Sequence, residues 1–463
     1  MSRPVYLTQD IRRIEQANAN LPLMERAGAA AAELAVSLLS DKGKDVLILA
    51  GPGNNGGDAK VVARLLQERF FRISLVRKFD EIPQNVRWSL VVDGLFGIGI
   101  SRPIEGEYAK LADYANAQTC PLLALDIPSG LNSDTGQVLG RAVRATHTIT
   151  FIGLKPGLLT LDGPDYSGQV TVADLSLKDV AKAGGWIAEP SLFPNVLKPR
   201  AQNFHKGLAG SLAVIGGAEG MVGAALLAGR AGLKMGAGRV YVGLLEDEVS
   251  SDPDALELML RHPDDALGLD LDAIVIGPGL GQGERAETLL GAVLASDIPC
   301  VLDADSLNLI AGNEDLRKAC ARRTADTLLT PHPAEAARLL AQTTADVQAD
   351  RLKAAKNLSQ NLNAHVVLKG NGSIIVARDG HWFINTSGNP GMASAGMGDV
   401  LAGFLGALLA QKYSGETALV LGTHLHGCAA DECVRSGKGP VGLTAGELIE
   451  PARNLWNSWL IET

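Results

Sequence analysis

No pair of cysteines in this chain has the spacing of a zinc-binding motif. The five thiols, Cys120, Cys300, Cys320, Cys428 and Cys433, lie scattered and odd in number. That count argues against a disulfide framework and fits a reducing cytoplasm. Aromatic residues make up only 4%, so packing falls to aliphatic and small side chains. Positive charge is not in excess either: the net charge is −9, which disfavours long-range attraction to nucleic acid or to an anionic membrane. The apolar runs are too short and too often broken by glycine for a membrane span. The start, Met1-Ser-Arg-Pro-Val-Tyr-Leu-Thr-Gln-Asp, has no apolar signal core. The chain does have length, 463 residues, with 46% hydrophobic residues and 53 glycines. This composition suits two or three α/β domains with tight strand–helix turns.

The first half repeats one pattern. The apolar strand Asp45-Val-Leu-Ile-Leu-Ala50 runs into Gly51-Pro-Gly-Asn-Asn-Gly-Gly-Asp58, and a helix is expected from Ala59 to Phe70. Strand, glycine-rich loop and helix form the arrangement that seats a phosphate on free helix amides. No Gly-Lys-Ser/Thr closes the loop, so it is not a Walker A motif. Ser89-Leu-Val-Val-Asp93 leads to Gly94-Leu-Phe-Gly-Ile-Gly-Ile-Ser-Arg-Pro103, and Pro121-Leu-Leu-Ala-Leu125 to Asp126-Ile-Pro-Ser-Gly130. Strand ends gather along one edge of such a sheet. Asn54, Asn55, Asp58, Asp93, Asp126 and Ser129 should therefore converge, and a set of oxygen ligands without His or Cys suits a hard cation.

These strings, with Thr150-Phe-Ile-Gly-Leu-Lys-Pro-Gly157, resemble the NAD(P)H-hydrate epimerase domain over roughly residues 1 to 200. The resemblance implies a three-layer, Rossmann-like fold that interconverts the R and S epimers of hydrated NADH and NADPH. It implies dinucleotide contacts from Asn54, Asn55, Gly56, Gly57 and Asp58, and from Gly97, Ile98, Gly99, Ile100, Ser101, Arg102 and Pro103, with Tyr108 adding another. It also implies potassium at Asn55, Asp93 and Ser129, and a catalytic Asp126 facing the reacting ring. Ala59 stands where the family often has glycine.

Between Ser176 and Lys206 the periodicity fades, and Pro190, Pro194 and Pro199 favour extended chain. A domain boundary is expected near Pro199, giving domains 1–200 and 201–463.

A second α/β pattern follows. Its landmarks are Gly210-Ser-Leu-Ala-Val-Ile215 with a helix from Ala224, and Asp272-Ala-Ile-Val-Ile276 running into Gly277-Pro-Gly-Leu-Gly-Gln-Gly283. Cys300-Val-Leu-Asp-Ala-Asp305 ends in two carboxylates, and Thr330-Pro-His-Pro333 holds His332 between prolines. His365-Val-Val-Leu-Lys-Gly370 meets Ser373-Ile-Ile-Val-Ala377 across an Asn371-Gly372 turn. Asn385 to Leu401 carries four glycines and Asp399 ahead of an apolar helix. Such a helix start draws phosphate or a developing oxyanion, and a carboxylate there can accept a hydroxyl proton. His424 and His426 lie two apart on one helix and do not share a face, so they are read as structural.

Gly388-Asn-Pro-Gly-Met-Ala393 and Gly396-Met-Gly-Asp-Val-Leu401 resemble the ribokinase-like superfamily. With His205-Lys-Gly207, Leu302-Asp-Ala-Asp-Ser-Leu-Asn-Leu309 and the His332 loop, the closer resemblance is to ADP-dependent NAD(P)H-hydrate dehydratase, over roughly residues 203 to 463. It implies ADP contacts at Lys369, Gly370, Asn371, Gly372, Ser373 and Gly398. It implies hydrate contacts at Ala224, Gly279 and His332, Asp399 as catalytic base, and Mg²⁺ with the ADP. Ser306 and Met397 depart mildly from the family pattern. Together the halves imply one bifunctional lyase and isomerase whose partners are hydrated NADH, hydrated NADPH and ADP. Nucleic acid and membrane are not expected, and a homo-oligomer is. The alternatives are a ribokinase-like kinase for a small alcohol with an N-terminal ligand-binding module, or an N-terminal scaffold of the kind found in RNA-decay proteins.

Overall fold

The computed structural model describes residues 3–39, 43–177, 183–246 and 248–461. It divides into two compact units, Arg3–Trp186 and Ile187–Thr463 with the first two residues. The division falls ahead of Pro199. Ile187 and Ala188 are already buried, and the Ala188 N–H donates to the Ile384 carbonyl at 2.9 Å, so the chain enters the second unit before its prolines begin. Residues 178–182 of the expected linker lie outside the described residues.

The first unit contains, in order, β1 (Pro4–Val5), α1 (Thr8–Ala17), α2 (Leu23–Leu38), β2 (Asp45–Ala50), α3 (Asn54–Glu68), β3 (Arg72–Val76), β4 (Leu90–Gly94), α4 (Gly106–Asn116), β5 (Leu122–Leu125), β6 (His147–Phe151), α5 (Gly163–Ser167), β7 (Gln169–Ala173) and β8 (Gly185–Ile187). Strands β2 to β7 form a wholly parallel sheet in the order β3-β2-β4-β5-β6-β7. Val46 to Ala50, Leu90 to Val92 and Leu122 to Leu125 are buried, as expected for strands covered on both faces. From β2 the chain goes to one side for β3 and to the other for β4. That is a topological switch point, where a crevice opens at the strand C-termini. The expected start of α3 at Ala59 is corrected to Asn54. Gly53 is the N-cap in extended backbone, so Asn54 to Asp58 ride on the helix rather than in a loop.

The second unit contains β9 (Ser211–Gly216), α6 (Val222–Lys234), β10 (Arg239–Leu244), β11 (Met259–Arg261), α7 (Pro263–Leu267), β12 (Ala273–Ile276), α8 (Glu284–Ala295), β13 (Cys300–Leu302), α9 (Asp305–Gly312), α10 (Glu314–Arg322), β14 (Thr327–Leu329), α11 (Pro333–Leu340), α12 (Thr344–Ala349), α13 (Arg351–Leu362), β15 (His365–Leu368), β16 (Ser373–Val376), β17 (Trp382–Asn385), α14 (Met397–Ala410), α15 (Gly415–Arg435) and α16 (Ile449–Ile461). Its strands run in the order β17-β16-β15-β14-β13-β12-β9-β10-β11. They are parallel from β15 to β11, with β16 and β17 added antiparallel. The switch point here lies between β9 and β12. Helix α14 is buried from Val400 to Ala410 and packs closely on α6, where a Cβ on Gly403 would lie 2.8 Å from the Ala231 Cβ. Small residues thus set the spacing that the scarcity of aromatics demanded. No described helix is long and apolar enough to cross a membrane.

Candidate functional site

Each switch point carries a cluster of polar groups. In the first unit a cleft of about 1140 Å³ opens between Asn54, Asn55 and Asp58 on α3, the loop Gly97 to Pro103, Tyr108 and Asp126. Every epimerase contact expected from the sequence lines it except Gly56 and Gly57. Those two glycines lie within α3, and a Cβ on Gly57 would meet the Met24 Cε at 2.5 Å. The methyl of Ala59 does not narrow the cleft: it is fully buried and packs on β4, 2.5 Å from where a Gly94 Cβ would sit. Tyr108 is held edge-on to Phe96 with ring centroids 4.8 Å apart.

Asp93 lies behind this cleft, fully buried. It accepts from the Ser129 hydroxyl at 2.7 Å, the Ser129 N–H at 2.8 Å and the Leu95 N–H at 3.2 Å. Burial pushes its carboxyl up to about 6, and the Ser129 and Leu95 donors restrain the rise. Beside it, Gly94 closes to 3.1 Å between its would-be Cβ and the Asn55 carbonyl oxygen. Both polar atoms of the buried Asn55 side chain have no partner among the described residues. An orphaned buried amide on the cleft, with a carboxylate and a hydroxyl bonded to each other behind it, is a donor set that fits a hard cation.

Asp126 has the left-handed backbone φ of +65°, a strained state for a non-glycine residue that is held only where surroundings enforce it. Its Oδ1 accepts from the Lys155 ammonium at 2.5 Å. Asp58 is buried, and that burial, with the Asp126 and Glu15 charges nearby, pushes its carboxyl up to about 8. Burial followed by the Asp126 charge raises Glu15 as well. The cleft therefore holds one carboxyl, Asp58, that stays protonated near neutral pH. Three of these residues were missed in the sequence. Arg12 and Glu15 reach the cleft from α1, which offers no motif. Lys155 sits inside a quoted string without a role, and its only signal is a lysine at the end of an apolar strand.

In the second unit the loops after β9 and β12 are tied together. Gly217 N–H donates to the Pro278 carbonyl at 3.0 Å and Ala218 N–H to the Gly279 carbonyl at 2.7 Å. This brings Gly279 beside the start of α6, where Ala224 lies. Asp303, buried at the end of β13, accepts from the Thr330 hydroxyl at 2.7 Å and from the Lys369 ammonium at 3.0 Å. Gly398 faces both: its would-be Cβ lies 3.2 Å from Lys369 Nζ and 3.3 Å from Asp303 Oδ2. Burial opposes the Lys369 charge, but Asp303 and Glu335 outweigh it and hold the ammonium above its ordinary value. Lys369 is thus paired with a carboxylate at the mouth of α14, not free at a strand terminus.

Helix α14 starts at Gly396, whose φ of +85° suits glycine; a Cβ there would lie 2.9 Å from Leu227 Cδ1 and 3.1 Å from the Ala445 Cβ. The first-turn amides have no helical partners. Burial, then the Asp303 charge, pushes Asp399 up to about 7, with Lys369 pulling the other way. The side chain of Met397 is buried. The preceding loop is pinned by Asp431 of α15, which accepts from the Gly388 N–H at 2.9 Å and the Asn389 amide at 3.0 Å.

His332 has a double character. Its Nδ1 caps α11, accepting from the N–H groups of Ala334 at 3.1 Å and Glu335 at 3.4 Å. Its Nε2, the nitrogen that the cap leaves over, lies 3.4 Å from Glu335 Oε1. Burial, then the Lys369 charge, lowers its pKa, which favours the neutral ring. Asn371 and Gly372 form the expected turn between β15 and β16. The turn is braced by buried Arg351, which donates to the carbonyls of Asn371 at 2.5 Å and Leu368 at 3.2 Å. Arg351 and Asp303 had no site role in the sequence reading, although two carboxylates closing β13 were visible. His424 and His426 are packed, against Trp459 and Phe404 respectively.

A family model described as NAD(P)H-hydrate dehydratase matches residues 212–451. A second, described as YjeF-related protein N-terminus, matches residues 20–90 and 77–157. The chain is 37% identical over 498 residues to the bifunctional NAD(P)H-hydrate repair enzyme Nnr of Escherichia coli, covering 98% of this chain and 94% of that protein. It is 35% identical over 495 residues to the protein of the same description from Coxiella burnetii, covering 98% and 99%. Among solved structures it is similar to the ADP/ATP-dependent NAD(P)H-hydrate dehydratase of Bacillus subtilis co-crystallized with ATP/Mg²⁺. That match has a TM-score of 0.52 and 29% identity, and covers 59% of this chain and 98% of that one.

Proposed function

Because this chain belongs to the bifunctional NAD(P)H-hydrate repair enzymes, we infer how its two sites divide the work. The first unit epimerises hydrated NADH and NADPH, and the second dehydrates one epimer with ADP. The observation that carries the second assignment is the convergence of Asp399, Lys369 and Asp303 on the amide-lined start of α14.

In the dehydratase unit Asp399 accepts the proton of the ring hydroxyl as that oxygen attacks the terminal phosphoryl group of ADP, and AMP leaves. The new phosphate ester then loses phosphate, carrying the ring oxygen, while the neighbouring carbon loses a proton. The C=C bond of the dihydronicotinamide is restored. The α14 amides receive the phosphoryl charge, and Lys369 supplies a cation beside Gly398. The loop Lys369 to Ser373 is the support for the rest of ADP, with Ala224, Gly279 and the Nε2 edge of His332 for the hydrate. Mg²⁺ bound with the nucleotide would neutralise phosphate charge.

In the epimerase unit the dinucleotide lies along Asn54 to Asp58 and Gly97 to Pro103. Inverting a hydroxyl-bearing carbon beside a ring nitrogen can proceed by opening the C–N bond and closing it on the other face. The hydroxyl proton must go to a base and return, and the nitrogen must take and release another. Asp126 suits the first role. Asp58, protonated at neutral pH, suits the second. Asn55 Oδ1, Asp93 and Ser129 fit potassium, which would fix the dinucleotide-binding loop electrostatically. Replacing potassium with tetramethylammonium should slow epimerisation at least ~10-fold, in line with the cost of losing a positioning contact; an unchanged rate removes potassium from the account.

The assay that tests the reading is recovery of dihydronicotinamide absorbance from mixed hydrate epimers. With ADP, both epimers should be consumed, and Asp126→Ala should leave the R epimer stranded. Equal loss on both epimers would contradict the division.

A further inference from the structure

A fully buried charged group in the first unit has no assigned part in the chemistry. Lys155 is fully buried, yet carries a long flexible chain and a cation. Fixing such a side chain costs rotamer entropy, and a buried charge persists only when its donors are satisfied. All three ammonium donors are engaged: Asp126 Oδ1 at 2.5 Å, Thr150 Oγ1 at 2.8 Å and the Phe151 carbonyl at 2.8 Å. Two of the acceptors belong to β6, so the ammonium is fixed to the sheet, and it presents its remaining bond to Asp126.

Asp126 is thereby held at both ends. Its backbone is locked in the left-handed region, with its N–H donating to the Ile149 carbonyl at 2.7 Å. Its Oδ1 is taken by Lys155. The other oxygen, Oδ2, has no protein donor among the described residues. It faces the wall of the cleft at Gly97, where a Cβ would come within 3.3 Å of it. A glycine at that point leaves room for a ligand atom.

We propose that Lys155 is a positioning residue of the epimerase site, which clamps Asp126 through Oδ1 so that Oδ2 alone receives the hydroxyl proton of the hydrate. This rests on reading the first unit as the epimerase. The clamp removes rotation about the carboxylate and aims one oxygen, which is the kind of preorganisation that affects the rate and not the binding.

The test uses the full chain, mixed hydrate epimers and ADP in excess. The fast phase reports dehydratase and the slow phase reports epimerisation. Lys155→Met should lower kcat of the slow phase ~10²-fold, with KM within about threefold. Lys155→Arg, which keeps a cation, should recover part of that loss. In an Asp126→Asn background Lys155→Met should cost nothing further, because the clamp then has nothing to aim. Additive losses, or a fall confined to KM, would overturn the proposal. If Lys155→Met does not fold, the same cycle is run with Thr150→Val, which removes one ammonium acceptor. A loss of kcat present with Asp126 and absent in the Asp126→Asn background supports the clamp; equal losses overturn it. A wild-type slow phase no faster than the buffer reaction would defeat the epimerase reading itself. A fast wild-type slow phase matched by Lys155→Met would defeat only the clamp.

Discussion

Asp399 and Asp58 are both carboxyls raised by burial, and the same shift gives them opposite uses. Asp399 must be ionised to accept a proton, so the dehydratase rate should rise with pH through about 7 and then level. Asp399→Asn should lower it at least ~10²-fold; a steady-state pH profile of both proteins checks this. Asp58 must be protonated to donate, so epimerisation should fall as pH rises through about 8. For stability, a folded pKa above the unfolded one means that the folded state binds the extra proton. The Asp58 contribution is therefore complete below the ordinary carboxylate range and is lost as pH rises toward 8. Asp58→Asn removes that loss, and its melting temperature should exceed the wild type's at pH 8 by about 2–4 °C; a lower value would contradict burial as the cause. Residue types at element ends were legible in the sequence: Asp93 and Asp126 close strands and Asp399 lies in the first turn of a helix. Lys155, Arg12 and Arg351 were not, because their roles come from three-dimensional neighbours such as Phe151, Gly99 and Asn371 rather than from spacing.

At the scale of elements, the decisive pieces are the first turns of α3 and α14. Gly396 ahead of α14 has a left-handed backbone, whereas Gly53 ahead of α3 is extended with open space around it, and both first turns present amides and a carboxyl at the switch point of their sheet. Gly396→Ala should combine a φ of +85° with crowding at Leu227 and Ala445, costing about 1–3 kcal/mol and weakening ADP use; thermal melting and KM for ADP measure the two effects. The strands were readable because those buried on both faces are continuous apolar runs. Helix starts were less so. Asn54 to Asp58 read as loop because Asn, Gly and Asp have low helix propensity, and helix N-terminal position overrode it. The end of the first unit was placed by prolines, whereas Ile187 and Ala188 had already joined the second through burial and the bond to Ile384.

At the scale of the whole molecule, the chain spans nearly all of its bifunctional relatives, and its two units each bring a cluster of polar groups to a topological switch point. The pairing makes chemical sense: a dehydratase selective for one epimer leaves the other behind unless an epimerase accompanies it. On the proposed reading neither unit needs the net charge of the protein to attract its anionic ligands, because each has local donors in place: Lys369 and the α14 amides in one unit, Arg12 and Arg102 lining the cleft of the other. The most direct test is complete consumption of a mixed-epimer hydrate pool by one preparation of the full chain with ADP. The account predicts that wild type restores all the dihydronicotinamide absorbance with matching AMP and phosphate. Asp126→Ala should stop near the S fraction, and Asp399→Asn should restore almost none. A stable phosphorylated product, or full recovery by Asp126→Ala at the wild-type rate, would contradict it.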